Sequence, residues 1–394
     1  MRRDPTAKNV ILLGLCQALG MSCSALIITI TALIGNTLAP DKSLVTLPLA
    51  LQFLAMMSSA APASFLMRRF GRRAGFSLGA LLGCVAGLLG MQAIFVGSFV
   101  LFCFSSILFG AFAAHVQFYR FAAADTASDA FRSRAISLVL AGGVLAAFLG
   151  PELAKWSLDL FAPVLYAGGY LCIGLLALVS LVLLQFIEIP RPNKAERGSS
   201  GRPLREIARR PDFTVAVLCA MIGYGAMNLV MTATPLAVVA HNHPFESAAL
   251  VIQWHVVGMY APSFFTGHLI HRFGVMPILA LGAALVLGCV AVNLAGTDVI
   301  HFWAALVLLG LGWNFMFLGG TSLLTESYRP EERAKAQALN EFLVFGTVTC
   351  TALLSGALYN AFGWQAVNLG VVPPLALVLF AVLWLGRRRA ALAV

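Results

Sequence analysis

The sequence predicts an all-α membrane protein with twelve transmembrane helices arranged as two six-helix halves. Three observations lead to this prediction: the chain is poor in charge, it is divided into long apolar runs, and its basic residues fall in alternate connections. Charged residues make up 11% of the 394 residues and hydrophobic residues 60%, whereas a soluble domain carries about 25% charged residues. Lipid must therefore be the solvent for much of the surface.

Twelve apolar runs are long enough to cross a bilayer, because a helix needs about 20 mostly apolar residues to span the hydrocarbon core. The runs are 9–36, 44–67, 74–95, 99–124, 135–152 and 161–187 in the first half, then 213–240, 247–270, 275–294, 299–324, 336–358 and 366–386. They are continuous, whereas barrel strands alternate in segments of about ten residues, so helices are favoured. The first run exceeds the roughly 7–15 apolar residues of a cleavable signal and is interpreted as a span.

The basic residues predict the orientation of the chain. With the amino terminus inside, 24 of the 26 Lys and Arg residues lie on the inner side, with Arg120 near the inner end of the fourth run and the others in connections, and only Lys42 and Lys155 lie on the outer side. Because positive residues are enriched on the inner side, we expect a multi-pass protein of the cell inner membrane with both termini in the cytoplasm. The net charge of +10 does not indicate a nucleic-acid partner, because the basic residues are dispersed between spans.

The longest connection, from Glu188 to Asp212, predicts the domain boundary. We expect an N-terminal six-helix bundle over 1–188, a cytoplasmic linker over 189–211 and a C-terminal six-helix bundle over 212–394. Within the linker, residues 202–210 have the pattern of a short amphipathic helix on the inner membrane surface. A solvated linker that holds the topology by its charge is the alternative interpretation.

Short motifs recur in the two halves at a nearly constant offset. Leu-Met-Arg-Arg-Phe-Gly at 66–71 returns as Leu-Ile-His-Arg-Phe-Gly at 269–274, which is 203 positions later. Arg-Ser-Arg-Ala at 132–135 returns as Arg-Ala-Lys-Ala at 333–336, which is 201 positions later. These matches predict a duplicated six-helix unit. Repeated halves of this kind are typical of transporters whose substrate site lies near the membrane midplane.

The loop between the second and third spans resembles the signature of the major facilitator superfamily, G-x-L-x-D-R-x-G-R-R. The residues that match are Arg69, Gly71, Arg72 and Arg73. Ser64 stands in place of the first glycine, Arg68 stands in place of the aspartate, and the second-half copy has His271 at the acidic position. The resemblance covers essentially the whole chain and implies a twelve-helix transporter that works by alternating access.

In the family this loop latches the two halves together on the cytoplasmic side, so the missing aspartate puts the usual latch chemistry in question. We expect a replacement ion pair between Arg68 or Arg69 and Glu341, near the inner end of the eleventh span, with Asp125 as a second acidic partner. Arg272 is the basic residue of the second-half copy. In the alternative interpretation these arginines only enforce topology and bind anionic lipid head groups.

Polar side chains inside the spans are the candidates for substrate contacts, because hydrocarbon disfavours them. They are Gln17, Gln52, His115, Tyr119, Arg120, Asn228, Gln253, Trp254, His255, Trp313 and Asn314. His115 and Tyr119 are four residues apart and share one helix face. Arg120 either neutralises an acidic substrate group or pairs with Asp125 or Glu341 as part of the structure.

Gln253, Trp254 and His255 predict a planar, ring-containing solute, because an aromatic ring beside hydrogen-bonding groups allows stacking and edge recognition. The alternative is a tryptophan at the membrane interface and a histidine satisfied by a neighbouring helix. Glu341 and His255 are the candidates for proton coupling, since they are titratable groups inside spans. Facilitated diffusion stays open.

The solute is therefore expected to be a small organic molecule such as a planar heterocycle. The segments 233–236 and 252–255 resemble a bacterial branch associated with riboflavin-type vitamin uptake. A drug or metabolite exporter is the competing transporter interpretation, since Gly150 and Pro151, expected to end the fifth helix, resemble a motif of the family's exporters. A non-transporting membrane sensor or assembly factor is the alternative from another class.

The sequence lacks the motifs of the main enzyme alternatives. It contains no Walker loop, no H-E-x-x-H and no G-x-S-x-G, so an ATP-driven pump or an intramembrane protease lacks its minimum chemistry. The eight cysteines lie inside apolar runs without a C-x-x-C pair, which argues against a thiolate metal site. We expect a monomer in the lipid bilayer that binds a small-molecule substrate, has protons as its candidate coupling ion and needs no cofactor.

Overall fold

The computed structural model describes residues 6–41, 44, 47–190 and 201–392, and this part of the chain forms α-helices without a β-strand. The first helices are α1 (Thr6–Leu38), α2 (Leu47–Phe70), α3 (Arg72–Val96), α4 (Phe99–Val116), α5 (Tyr119–Thr126), α6 (Asp129–Trp156) and α7 (Ala167–Leu184). The others are α8 (Leu204–Ala208), α9 (Pro211–Ala240), α10 (Phe245–Tyr260), α11 (Ser263–Phe273), α12 (Val275–Ala295), α13 (Val299–Ser327), α14 (Arg333–Gly370) and α15 (Val372–Leu392).

The described helices account for the twelve predicted spans. Ten helical segments are long and apolar enough to cross a membrane. One of them, Pro330–Ala391, has 62 residues and a break at Gly363, where φ is 79°, so it provides the eleventh and twelfth spans. The shorter apolar α10 continues into α11 and provides the eighth. Helices satisfy their own backbone hydrogen bonds in lipid, and the predicted all-α fold is confirmed.

Two predicted spans are broken within their length. The eighth span breaks at Ala261 and Pro262, between α10 and α11, because proline lacks an amide hydrogen and clashes with the preceding turn. The fourth span breaks between α4 and α5, where the Phe118 amide bonds to the His115 carbonyl at 3.1 Å. This tighter i to i−3 bond redirects the chain just before Arg120.

Two predicted helix ends are wrong. Gly150 and Pro151 do not end the fifth span, because α6 continues to Trp156. A Cβ atom on Gly150 would lie 2.5 Å from the Ala25 Cβ of α1, so this glycine allows α1 and α6 to pack closely. The sixth span starts at Ala167 instead of 161, because the preceding residues form turns that end at Tyr166, whose φ is 68°.

The chain divides into two compact units, called unit 1 and unit 2 below. Unit 1 comprises Met1–Ala127, Leu138–Ser200 and Arg333–Phe342, and unit 2 comprises Ser128–Ser137, Gly201–Glu332 and Leu343–Val394. Unit 1 therefore contains the start of α14, and unit 2 contains the start of α6. The division into bundles over 1–188 and 212–394 stays a prediction. It would assign the start of α6 to the first bundle and the start of α14 to the second, whereas the start of α6 belongs to unit 2 and the start of α14 to unit 1.

The last part of the predicted linker, from Gly201 onward, belongs to unit 2 and is held there by hydrogen bonds of Arg202. The Arg202 amide and guanidinium donate to the buried carboxylate of Glu332 at 2.5–3.0 Å, and this bonding raises the pKa of Arg202. The five-residue α8 forms only part of the predicted amphipathic segment and buries Ile207. Residues 191–200 of the linker lie outside the described residues. So do Arg2, Arg3 and Lys42 among the basic residues used for orientation.

Candidate functional site

A cluster of ion pairs lies in unit 1, where the last turn of α5 meets the first turns of α3 and α14. Arg72 Nε bonds to Asp125 Oδ2 at 3.0 Å, and Arg333 pairs with Asp125 Oδ1 at 3.1 Å. Arg72 also donates to Gln337 Oε1 at 2.9 Å. Asp125 is thus held by two arginines in a nearly buried position, and these charge-assisted bonds tie the three helices together.

The second ion pair of unit 1 is completely buried. Arg120 of α5 donates to Glu341 Oε1 of α14 at 2.6 Å, and the two side chains are 1% and 0% exposed. Arg120 also bonds to the carbonyl and the amide oxygen of Gln117 at 2.8 and 2.9 Å, and its guanidinium lies over the Phe121 ring at 4.6 Å. Asn340 donates to Glu341 at 2.8 Å. Of the alternatives for Arg120, the structure shows the pair with Glu341.

The predicted pairing of Glu341 with Arg68 or Arg69 is therefore wrong. Glu341 pairs instead with Arg120, which reaches it from α5. Arg69 instead stacks over Phe70 at 5.3 Å. Of the signature residues, Arg72 reaches Asp125, and Gly71 has a φ of 92° between α2 and α3.

The remaining predicted latch arginines lie on the surface. Arg73 donates to Gln185 Oε1 at 3.2 Å, and both side chains are exposed. Arg272 of the second-half copy stacks over the exposed Phe273 ring at 5.2 Å, in the same geometry as Arg69 and Phe70. The structure does not bring Arg73 or Arg272 into the ion-pair cluster.

Four further candidates of unit 1 are buried polar side chains with an atom that has no hydrogen-bond partner in the described part of the chain. Those atoms are Gln17 Oε1, Gln52 Oε1, His115 Nε2 and the Tyr119 hydroxyl. His115 uses its other ring nitrogen, Nδ1, which lies 2.8 Å from the Ala111 carbonyl. Tyr119 contacts the Phe76 ring edge to face at 4.7 Å. Buried polar atoms without a protein partner are unusual, and each is a place where an ordered water, an ion or a solute can bind.

Unit 2 contains a cluster of five aromatic rings. Trp313 stacks on Phe317 at 4.9 Å, and Tyr224 contacts both rings edge to face at 5.4 and 5.3 Å. Tyr260 and Phe345 complete the cluster. The indole nitrogen of Trp313 is buried and has no hydrogen-bond partner among the described residues, whereas Tyr224 is only partly buried. The cluster offers aromatic faces and one N–H donor to a planar solute.

Two predicted candidates of unit 2 hold helices together. Asn314 donates to the Met259 carbonyl at 2.7 Å and to Ser263 Oγ at 2.6 Å, and it accepts from Thr266 at 2.7 Å. These bonds secure the broken eighth span from α13, so the prediction that Asn314 binds substrate loses its support. Asn228 bonds across to α14, at the Val348 carbonyl and Thr351.

The predicted Gln253, Trp254 and His255 set is divided between two sides of α10. His255 is fully buried, and its Nδ1 lies 2.8 Å from the Leu306 carbonyl, while Nε2 has no partner among the described residues. Trp254 is 45% exposed and contacts Trp303 at 6.1 Å, and Gln253 is also exposed. The three side chains therefore do not form one binding surface.

Sequence reasoning missed three members of the aromatic cluster, namely Tyr224, Phe317 and Phe345. The spacing of Trp313 and Phe317 by four residues was an available signal, because such residues share a helix face. Groups of three or more residues that could hold a metal ion do not occur within the described ranges. The site residues can therefore bind a solute by stacking and hydrogen bonding, and Glu341 provides a buried carboxylate.

The chain is similar to known membrane transporters in sequence. Its residues 10–317 and 216–393 match the sequence profile of the Major Facilitator Superfamily. The riboflavin transporter RfnT of Brucella anthropi is 44% identical over 380 residues, which cover 95% of this chain and 96% of that protein. The uncharacterized MFS-type transporter YdeG of Bacillus subtilis is 28% identical and covers 92% of this chain and 88% of that protein.

Solved structures of transporters have the same fold. FucP in the outward conformation has a TM-score of 0.80 at 16% identity, covering 95% of this chain and 98% of that chain. The human organic anion transporter MFSD10 has a TM-score of 0.80 at 15% identity, covering 96% and 99%. At these identities the likeness shows the fold alone.

Proposed function

The chain belongs to the Major Facilitator Superfamily and is a secondary transporter, and from this premise we propose that it takes up riboflavin or a close flavin analogue by alternating access. The observation that carries the proposal is the 44% identity with a riboflavin transporter over 95% of the chain. Riboflavin is a planar heterocycle with a hydroxyl-bearing side chain. A planar heterocycle is the class of solute that the sequence predicts.

The aromatic cluster of unit 2 supports a flavin as the solute. A tricyclic ring system gains from stacking on aromatic faces and from edge contacts, and Tyr224 presents such a ring in a partly accessible position. The unpaired Trp313 indole N–H can donate to a ring carbonyl. The exporter interpretation has no comparable support, because Gly150 is explained by close packing against Ala25.

Uptake by purified protein in liposomes tests the proposal. We expect saturable uptake of radiolabelled riboflavin that unlabelled riboflavin inhibits and that sugars and lipophilic drugs do not. Trp313→Phe keeps an aromatic ring but removes the N–H donor, so we expect riboflavin to bind about tenfold more weakly. Trp384→Phe is the matched control, because Trp384 is half exposed and stacks with Arg388 outside the cluster.

Two results would contradict the proposal. Uptake of a drug or sugar without uptake of any flavin would show that the solute is of another class. Equal loss of riboflavin binding in the Trp313 and Trp384 variants would show that the aromatic cluster of unit 2 has no specific part in recognition.

We further propose that uptake is coupled to protons, with Glu341 as the first candidate and His255 as the second. Each has a buried polar atom without a partner among the described residues, Glu341 Oε2 and His255 Nε2. An inward proton gradient is expected to accelerate riboflavin uptake, and Glu341→Gln is expected to remove this acceleration. Uptake that is insensitive to the gradient would favour facilitated diffusion.

The proposed location is the inner membrane, with both termini in the cytoplasm. It is supported by the 24 of 26 basic residues that lie in connections or near a span end on the predicted inner side. Reporter fusions at each terminus test it: a cytoplasmic fluorescent reporter is expected to be active at both ends, and a periplasmic phosphatase at neither.

A further inference from the structure

The buried polar atoms of unit 1 that have no partner among the described residues are mostly hydrogen-bond acceptors. Four of them are oxygens of this kind: Gln17 Oε1, Gln52 Oε1, Asn340 Oδ1 and Glu341 Oε2. The fifth is His115 Nε2, because the other ring nitrogen, Nδ1, faces the Ala111 carbonyl at 2.8 Å and must carry the proton. Unit 1 therefore offers acceptors to a group that brings donors of its own.

These acceptors belong to helices that are in direct contact within unit 1. A Cβ atom on Gly20 of α1, one turn from Gln17, would lie 2.9 Å from the Val116 side chain, next to His115. The backbone at Gln52 of α2 packs directly against Gly110 of α4. Three of the acceptors thus lie on α1, α2 and α4 where these helices pack together.

The buried cation of Arg120 in unit 1 is already neutralised. The Arg120 guanidinium binds Glu341, both oxygens of Gln117 and the face of the Phe121 ring. The pair of Arg120 and Glu341 has no net charge, and its remaining unpartnered atom, Glu341 Oε2, belongs to the carboxylate. The atom of this pair that is left for a further hydrogen bond is thus an acceptor with negative charge.

We propose that unit 1 selects an uncharged, hydroxyl-rich part of the solute and rejects a phosphate ester, with Glu341 as the residue that determines this specificity. The inference rests on the proposed function and deepens it. Hydroxyl groups can donate to the unpartnered acceptors, whereas a phosphate ester replaces one hydroxyl donor by negatively charged oxygens that mainly accept. The ester would leave one acceptor without its donor and would be repelled by the Glu341 carboxylate, and both effects oppose binding.

Binding of three flavins to the purified protein, followed by flavin fluorescence, tests the inference. We expect riboflavin to bind at least about tenfold more tightly than riboflavin 5′-phosphate. Glu341→Gln removes the negative charge and leaves Arg120 positive, so riboflavin 5′-phosphate is expected to bind more tightly to this variant. The ratio of the two affinities is then expected to fall below about threefold. Glu152→Gln is the matched control, because Glu152 pairs with Lys155 on the surface, and it is expected to keep the wild-type difference.

A second variant tests the acceptors independently of Glu341. Gln52→Leu removes one acceptor and is expected to weaken riboflavin several-fold, with little effect on lumiflavin, which has the same ring but no hydroxyl chain. Equal effects on both flavins would overturn the role of the acceptors.

The wild-type protein alone can overturn the inference. Equal affinity for riboflavin and its 5′-phosphate would do so while leaving the proposed transport of flavins intact. An unchanged difference in a folded Glu341→Gln protein would remove Glu341 as its cause. If no flavin binds, the proposed function falls and this inference falls with it.

Discussion

Unit 1 and unit 2 each join the later part of one helix to the first turns of another through a hydrogen bond of a serine hydroxyl, and they differ in the charges around this contact. In unit 1, Ser64 of α2 donates to the Ala334 carbonyl of α14 at 2.8 Å. In unit 2, the Gly267 amide of α11 donates to Ser137 Oγ of α6 at 3.1 Å. Ser64 and Gly267 are separated by 203 positions, the offset of the repeated Arg-Phe-Gly motif.

The surroundings of these two contacts differ in charge. Unit 1 contains the buried pair of Arg120 and Glu341. In sequence, the positions at the repeat offset of 201 from these residues are uncharged, namely Thr321 in unit 2 and Leu140 in unit 1. The contact of Gly267 with Ser137 shows that a neutral hydrogen bond is sufficient to join two helices in unit 2. A buried ion pair is weak evidence for stability, because desolvation offsets much of its attraction. We therefore attribute the charges of unit 1 to the proposed solute selection and the proposed proton coupling.

The largest expected loss of stability comes from removing one partner of the buried ion pair of unit 1. Glu341→Ala leaves Arg120 buried without its counter-ion, which is expected to cost about 3–5 kcal/mol in the free energy of unfolding. The measurement is the unfolding midpoint in detergent. The double variant Arg120→Thr, Glu341→Leu introduces the residues found at the repeat positions and should recover most of the loss. A double variant as unstable as Glu341→Ala would contradict this comparison.

The second prediction compares the carboxylates at equivalent ends of the fourth and tenth spans. Asp125 is 8% exposed and bound by Arg72 and Arg333, whereas Glu326, 201 positions later, is 43% exposed and bound by Arg389. Asp125→Asn is expected to cost about 1.5–3 kcal/mol, and Glu326→Gln less than about 1 kcal/mol. Thermal unfolding of both variants checks the order, and a larger effect at Glu326 would reverse it.

The neutral contact of unit 2 is tested by filling the space at Gly267. A Cβ atom there would lie 2.7 Å from both the Arg134 Cα and the Ser133 carbonyl oxygen, and these backbone atoms cannot move easily. Gly267→Ala is expected to lower the free energy of unfolding by about 1–3 kcal/mol. Gly356→Ala in α14 is the control with the opposite sign, since nothing lies within 4 Å of its Cβ position and alanine favours helix by about 0.5–1 kcal/mol.

The smallest expected effect comes from a pH-dependent contact of unit 1 outside the spans, the ion pair of Lys8 and Glu188. The hydrogen bond from Lys8 lowers the pKa of Glu188 below its usual value of 4.5. The contact therefore stabilises the fold above that value and is lost as the pH falls through the lower folded-state pKa. A small difference in unfolding midpoint between wild type and Glu188→Gln should exist near neutral pH and disappear well below pH 4.5. A difference that persists in acid would rule out the ion pair as its source.

The spans, the repeat and the family were predictable because lipid imposes strong rules on sequence. A continuous apolar run is forced into a helix, and the Arg-Phe-Gly motif recurs in both halves. The family match confirms the resemblance drawn from the loop between the second and third spans. The break before Pro262 also had a signal in the sequence, whereas the break at Phe118 had none, because it depends on one tight backbone bond.

Side-chain partners were harder to predict, for two physical reasons. Arg120 and Glu341 are 221 positions apart, and charge alone does not distinguish Arg120 from Arg68 or Arg69. Helices that are apolar on all sides have no hydrophobic face that fixes their rotation. Trp254 and Trp313 were therefore equally plausible ring contacts, although Trp254 is 45% exposed and Trp313 only 1%.

The glycine of the family signature is required for a reason unrelated to ion pairing. Gly71 and Gly274 have φ values of 92° and 85° with ψ at 163°, a backbone region that is essentially restricted to glycine. Around Gly274 nothing lies within 4 Å of the Cβ position, so side-chain size has little influence there. If codon 274 is fully randomised and the library is selected for folded protein, alanine and tryptophan should be depleted alike, and glycine codons should dominate the survivors.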